Sequence, residues 1–309
     1  MSDTPCRCRR LCVMSRPDEE DGLNRVKQGH NRVNYMRRSG LKAGPALIVS
    51  ALFLFCIAGT PLKAEQATMP NHGEWGRLLD LYLTEGEGGA PNRVDYGALK
   101  ANAADHAALK AYIAALEQVE PESLPRDERF AYWVNLYNAL TVDVVTDHYP
   151  VASIRDISIS PGLFSKGPWG KKLVTVAGRE LSLDDIEHGI LRQEFGDRRV
   201  HYAVNCASWG CPDLAPRPYT GAGLEEMLEG AARGFINSPR GARIEDGGLI
   251  ASSIFDWYRK DFGGSEAGVL AEIRKYADAA LSAGLENIGA VSSYRYDWSL
   301  NDANREEPQ

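Results

Sequence analysis

Apolar residues recur at helical spacing over 75–84 and again over 107–119, where Leu109, Tyr112, Ile113 and Leu116 share one face and Pro121 closes the segment. The glycine-rich stretch between them, ending in Val94-Asp95-Tyr96, reads as a loop. The pattern over 127–148 predicts the strongest helix, with acids in its first turn, a histidine in its last and Pro150 just beyond. Its apolar residues lie all round the axis, which predicts burial on most sides. Asn135 and Asn138 then fall on one stripe, and their amides must find partners inside the protein, on loop backbone or in a site.

Further along, Leu173-Val174-Thr175-Val176 and Arg179-Glu180-Leu181 flank Ala177-Gly178 and predict a hairpin. Ser182-Leu183-Asp184-Asp185 reads as the cap of a helix running to about Phe195. Alternation predicts a strand over 200–205, and a good amphipathic period predicts a helix over 224–236. A second hairpin (243–245 and 249–252), a helical segment over 255–262, a helix over 267–277 and a final strand over 290–298 complete the pattern. The fold class these elements predict is α+β, a mostly helical single domain over 65–309 with a small antiparallel sheet.

Residues 1–64 do not follow such a pattern and are read as leader and signal peptide. A basic stretch around Met36-Arg37-Arg38 precedes the apolar run ALIVSALFLFCIAG (46–59), and Ala64 offers a cleavage point. That run is short against the ~20 residues of a spanning helix. Met36 is a candidate true start, and the expected location is periplasmic or secreted, with membrane contact only through an uncleaved signal segment. The net charge of −7 becomes more acidic without the basic leader, which argues against nucleic acid as a partner. Other partners are not indicated, and no cofactor is expected.

Downstream of Ala64 only Cys206 and Cys211 remain, and in an oxidising compartment their default fate is a disulfide. Three readings of the stretch VHYAVNCASWGCPDL (200–214) stay open. In the first, Cys206 is a nucleophile, His188 takes its proton, and Glu187 or Asp297 orients the ring. On a regular strand His201 would face away from Cys206 and serve it poorly as a base. In the second, Cys206 and Cys211 close a structural loop in a binding or scaffold module of the cell envelope. In the third, His188, His201, Cys206 and Cys211 surround a zinc ion, although their spacing matches no standard finger. Asn135, Asn138, Asn205 and Trp298 are candidate binding residues, while Trp257, Tyr258 and Asp261 read as an aromatic helix packed on the core.

Several of these segments also carry a family likeness. WVNLYNAL (133–140), HYP with SIRDI (148–157), LDDIEH (183–188), HYAVNCAS with CP (201–212) and YDWSLN (296–301) together resemble the domain of unknown function (DUF) 547 family. The likeness runs from about Trp75 to Asn301, and exported bacterial members are similar to this chain. It implies a shared fold and no activity, because the family has none assigned. At Trp209-Gly210, where members often carry Lys or Ser, the chain departs from the pattern, so no basic group is implied there.

Overall fold

The computed structural model describes residues 69–162 and 166–305, which fall within one compact unit, Lys63–Gln309. The leader, its apolar run and Cys6, Cys8, Cys12 and Cys56 lie outside the described residues. Among the described residues no helix is long and apolar enough to cross a membrane.

Helix α1 (Gly73–Tyr82) leads into a two-residue strand β1 (Leu83–Thr84) that pairs antiparallel with β2 (Arg93–Val94). The stretch expected to be loop thus ends in a short strand, and an unforeseen helix follows it, α2 (Tyr96–Ala101), because Asp95 accepts from the Ala98 N–H and caps it. Asn102 repeats the device for α3 (Ala103–Glu117). Helix α4 (Arg126–His148) matches its prediction almost residue for residue, and seventeen of its side chains are buried. The first hydrophobic core forms around it, from Trp75 and Leu109 to Ile186 and Leu228.

The predicted hairpin is β3 (Val174–Val176) with β4 (Arg179–Leu181). Ser182 and Asp185 then exchange bonds as a capping pair, Ser182 N–H to Asp185 Oδ2 at 2.7 Å and Asp185 N–H to Ser182 Oγ at 3.2 Å. What they open is a π-helix, Asp185–Leu191, that tightens into α5 (Arg192–Phe195) and ends on Gly196 in the left-handed region.

The strand expected over 200–205 is instead a short helix, α6 (Val200–Ala203). Asp197 decides this. Its side chain accepts from the Arg199 N–H at 2.9 Å and its carbonyl from the Val200 N–H at 3.1 Å, starting a helical turn that overrides the alternation of apolar residues. The chain becomes extended only at Val204.

Helix α7 (Leu224–Ile236) follows as predicted, then hairpin β5 (Ala242–Glu245) and β6 (Gly248–Ser252). Asp246 and Gly247 both have positive φ at that turn, as a two-residue hairpin loop demands. The helical stretch after it is only α8 (Ile254–Trp257), with turns to Phe262; α9 (Glu266–Tyr276) and an unforeseen α10 (Ala279–Leu285) come next. Strand β7 (Val291–Arg295) joins β6 in parallel, so the three-stranded sheet is mixed and the two small sheets are antiparallel. A second core, centred on Tyr202, Phe255 and Phe262, packs these elements together.

Candidate active site

A cavity of about 300 Å³ opens where the two cores meet, lined by Tyr137 and Val204 of the first and by Ile254, Tyr258 and Tyr296 of the second set. Cys206 lies in its wall, placed there by a run of buried amides. Asn138 donates to the Ala203 carbonyl at 3.0 Å and accepts from the Asn205 N–H at 2.8 Å, so helix α4 holds the chain on both sides of Val204. Asn205 donates to Pro212 O at 2.7 Å and accepts from the Ala207 N–H at 2.8 Å, folding residues 205–212 into a loop. Ala207, next to the cysteine, has φ of 57°, a left-handed conformation that costs an L-residue about 1–2 kcal/mol. The segment 297–301 clamps the loop from outside through Trp209 N–H to Ser299 O (2.7 Å), Gly210 N–H to Asp297 O (2.8 Å) and Asn301 N–H to Ala207 O (3.1 Å). A Cβ on Gly210 would stand 2.7 Å from the Asp297 backbone nitrogen, so only glycine permits this approach.

Within the loop the two sulfurs are 2.8 Å apart, hydrogen-bonded and not joined as a disulfide. Cys206 is half-buried and Cys211 buried. The Cys206 sulfur receives donors from Cys211 Sγ–H, from Ser208 Oγ at 3.4 Å and from the Tyr296 hydroxyl at 2.9 Å. The Cys211 thiol foremost, then Ser208 and Tyr296, hold the Cys206 thiol below its usual pKa against burial and the nearby Glu187 carboxylate. Burial and the neighbouring Cys206 push Cys211 well above the usual range. Burial does the same to Tyr296 and keeps it a donor.

Across the cavity the π-helix presents Asp184, Glu187 and His188. A π turn widens the helix by one residue per hydrogen-bonded ring, and such turns concentrate at functional sites. Glu187 is buried, accepts from the Tyr137 hydroxyl at 3.2 Å, and lies 3.9 Å from His201 Nδ1 and 3.7 Å from His188 Nδ1. His188 is more exposed; Arg192 donates to its Nδ1 at 3.2 Å, and its Nε2 is 3.7 Å from Asp184. Burial raises the Asp184 pKa.

His201 is the more constrained histidine. Its Nε2–H donates to Asp261 Oδ2 at 2.7 Å, and its ring stacks on Tyr258 with centroids 4.1 Å apart. Arg192 grips the same carboxylate through two bonds of 2.7 and 3.0 Å. The hydrogen bond from His201 first, then Arg192, holds Asp261 far below the usual carboxylate range, so it is an anion that fixes the ring.

The mouth is aromatic. Trp257, 48 % exposed, lies beside Tyr296 (4.9 Å between centroids) and stacks on Trp298 (5.5 Å), and Trp169 meets Trp298 edge-on at 5.8 Å.

Of the residues singled out in the sequence, Cys206, Cys211, His188, Glu187, His201 and Trp298 converge on this cavity. Because α6 is a helix and not a strand, the alternation that set His201 and Cys206 on opposite faces does not apply. Asp297 does not join them. It turns to Ser299 and Arg305 and lines a different cavity. Asn135 exchanges two bonds with the Tyr219 backbone, and Asn138 and Asn205 are likewise committed to backbone. The four zinc candidates do not gather their ligand atoms. Among the described residues the cluster that does is His106, Asp143 and Asp147, and there Lys110 already bonds both carboxylates. In the sequence Tyr258 and Asp261 carry only the pattern of core packing; Asp261 three residues after an aromatic pair gives no further signal until it meets His201.

The fold and site thus define an α+β protein with two thiols, two histidines, a buried glutamate and an exposed aspartate around one cavity. Residues 121–236 match the model of the family described as "Protein of unknown function, DUF547", so this stretch of the chain carries that family's domain. No curated protein and no solved structure matches the chain.

Proposed function

We propose that the protein is a cysteine-dependent acyl-transfer enzyme or hydrolase, with Cys206 as nucleophile and the His201–Asp261 pair as its acid and base. The observation that carries this reading is the Cys206 sulfur, held by three donors in the wall of a ligand-sized cavity that also holds an oriented imidazole. The thiolate is stabilised by these three donors, so His201, with Nε2–H held by Asp261, is left to carry a proton on Nδ1 to the leaving group and then to take one back from the attacking water. The Cys206 thiolate attacks a carbonyl carbon and forms a C–S bond. The C–X bond to the leaving group breaks, X departs with a proton, and a thioester remains. Water adds to it, releasing the acid and the free thiol. His188, which the sequence put forward as the base, is assigned a lesser role, because Arg192 already donates to its Nδ1.

The test is incubation with 4-nitrophenyl acetate, acid quench and mass spectrometry of tryptic peptides. An acetyl increment on the Cys206 peptide, absent in Cys206→Ser, is expected. His201→Gln should slow hydrolysis of that adduct by roughly 10²–10⁴-fold, the range of general acid–base catalysis. Turnover that survives Cys206→Ser unchanged overturns the reading.

The 2.8 Å contact between the sulfurs favours a second reading, a disulfide-closing pair in a binding module of the cell envelope. Closure releases two protons and passes two electrons to an oxidant, a disulfide or a quinone. This reading goes with export and removal of residues 1–64. Protein from culture medium or periplasm, prepared without reductant, would then begin near Glu65 and take no iodoacetamide until reduced.

A further inference from the structure

The cavity differs from an ordinary apolar pocket in the combination of rings and charge along its wall. Three tryptophans and Tyr296 line the mouth, and Trp257, Tyr296 and Trp298 have centroids 4.6–5.5 Å from one another. The charged residues that share the lining are Asp184 and Glu187, and among the described residues that line it there is no lysine or arginine. Among the described residues the only cationic partner of Asp184 is His188, at 3.7 Å. Aromatic faces carry negative potential, and tryptophan gives the strongest such surface. Carboxylates and thiolate beside them add to that potential, so an anionic or strongly polar group would enter at a loss. The protein already uses one of these rings in this way, because the Arg155 guanidinium lies 5.1 Å from the Trp298 centroid without lining the cavity.

We infer that the mouth of the cavity, formed by Trp257, Trp298, Tyr296 and Asp184, is a subsite for an organic cation, and that the substrate carries an alkylammonium group beside its reacting carbonyl. A methylated or primary ammonium places its charge against the ring faces while its carbon atoms cover apolar surface, with Asp184 supplying the counter-charge. The geometry leaves the ammonium at the exposed Trp257 end and the reacting carbon at the Cys206 end, so binding of the one positions the other. The substrate class rests on the acyl-transfer reading; the cation subsite itself does not require Cys206 to react.

The experiment uses the full chain and follows tryptophan fluorescence on titration with choline, and with 3,3-dimethylbutan-1-ol, its uncharged carbon isostere. Choline should bind at least ten-fold more tightly than the isostere. Trp257→Ala should weaken choline about ten-fold or more and the isostere clearly less, and Asp184→Asn should weaken choline several-fold while leaving the isostere within about two-fold. Trp257 is half exposed and its removal opens no core cavity, so loss of folding does not confound the result. Equal affinity for the two probes, or no saturable binding of choline, overturns the subsite. Cys206→Ala separates the two proposals. Retained choline binding, with no acetyl adduct in the wild type, would leave the cation subsite standing and remove the acyl-transfer reading.

Discussion

At the scale of single residues the site depends on how one sulfur keeps its charge. Cys206 has no imidazolium or long helix start beside it, and its largest stabiliser is the second thiol of the same loop. Cys211→Ala removes that donor, whereas Cys211→Ser replaces it with a hydroxyl. Since the folded-state pKa of Cys206 is depressed, its thiolate persists to lower pH than that of a free thiol. The alanine variant should therefore reach its alkylation plateau only at higher pH and react several-fold more slowly with iodoacetamide at pH 7. The serine variant should stay close to wild type, and Tyr296→Phe should shift in the same direction as alanine but less. The check is the rate of iodoacetamide labelling from pH 5 to 10, and an unmoved profile in Cys211→Ala would show that Ser208 and Tyr296, not the paired thiol, hold the Cys206 pKa down.

Elements bring these residues together, and here the chain was only partly readable. Helix α4 and the Ser182–Asp185 cap were legible because periodicity and capping are local. The π turn was not: nothing in Asp185-Ile186-Glu187-His188 announces an extra residue per ring, and that widening accompanies Glu187 and His188 in the cavity. Nor was α6, where an Asp197 turn outweighs an alternating pattern. Asn138 was marked as an amide in need of partners, and the partners proved to be the backbone leading to Cys206. Asn138→Ala leaves the Ala203 carbonyl and the Asn205 N–H buried and unpaired. Each such group costs about 1–3 kcal/mol, so urea unfolding should show a loss of that order or twice it. Asn138→Asp keeps the acceptor for Asn205 but turns a buried carboxylate toward the Ala203 carbonyl, and should lose at least as much as Asn138→Ala. A loss under about 0.5 kcal/mol in Asn138→Ala would mean that the loop finds other partners.

Across the whole molecule, pH acts through a residue outside the cavity lining. His72 precedes α1 and ties it to two other helices: its Nδ1 is 2.7 Å from the Tyr112 hydroxyl on α3, and Asn135 on α4 donates to its Nε2 at 3.3 Å. An Nε2 that accepts makes the ring neutral, with the proton on Nδ1 given to Tyr112. Burial lowers its pKa from 6.5 to about 4. In the unfolded chain the same ring takes its proton near 6.5, so between pH 6.5 and 4 the unfolded state binds more protons and stability falls as pH falls. Above 6.5 both states are neutral and the term vanishes; below 4 it is fully present, at about 3 kcal/mol on 1.36 kcal/mol per unit. His72→Gln retains a donor and an acceptor but cannot titrate. Its unfolding free energy by urea at pH 7 should lie below wild type, because glutamine replaces a ring packed edge-on against Tyr112. The gap should close as pH falls to 4.5, since the wild type alone loses stability through protonation of this ring. Parallel curves from pH 7 to 4.5 would show that His72 is charged at no cost in the folded protein, and with that the anchoring of α1 on α3 and α4 by a neutral imidazole would be lost.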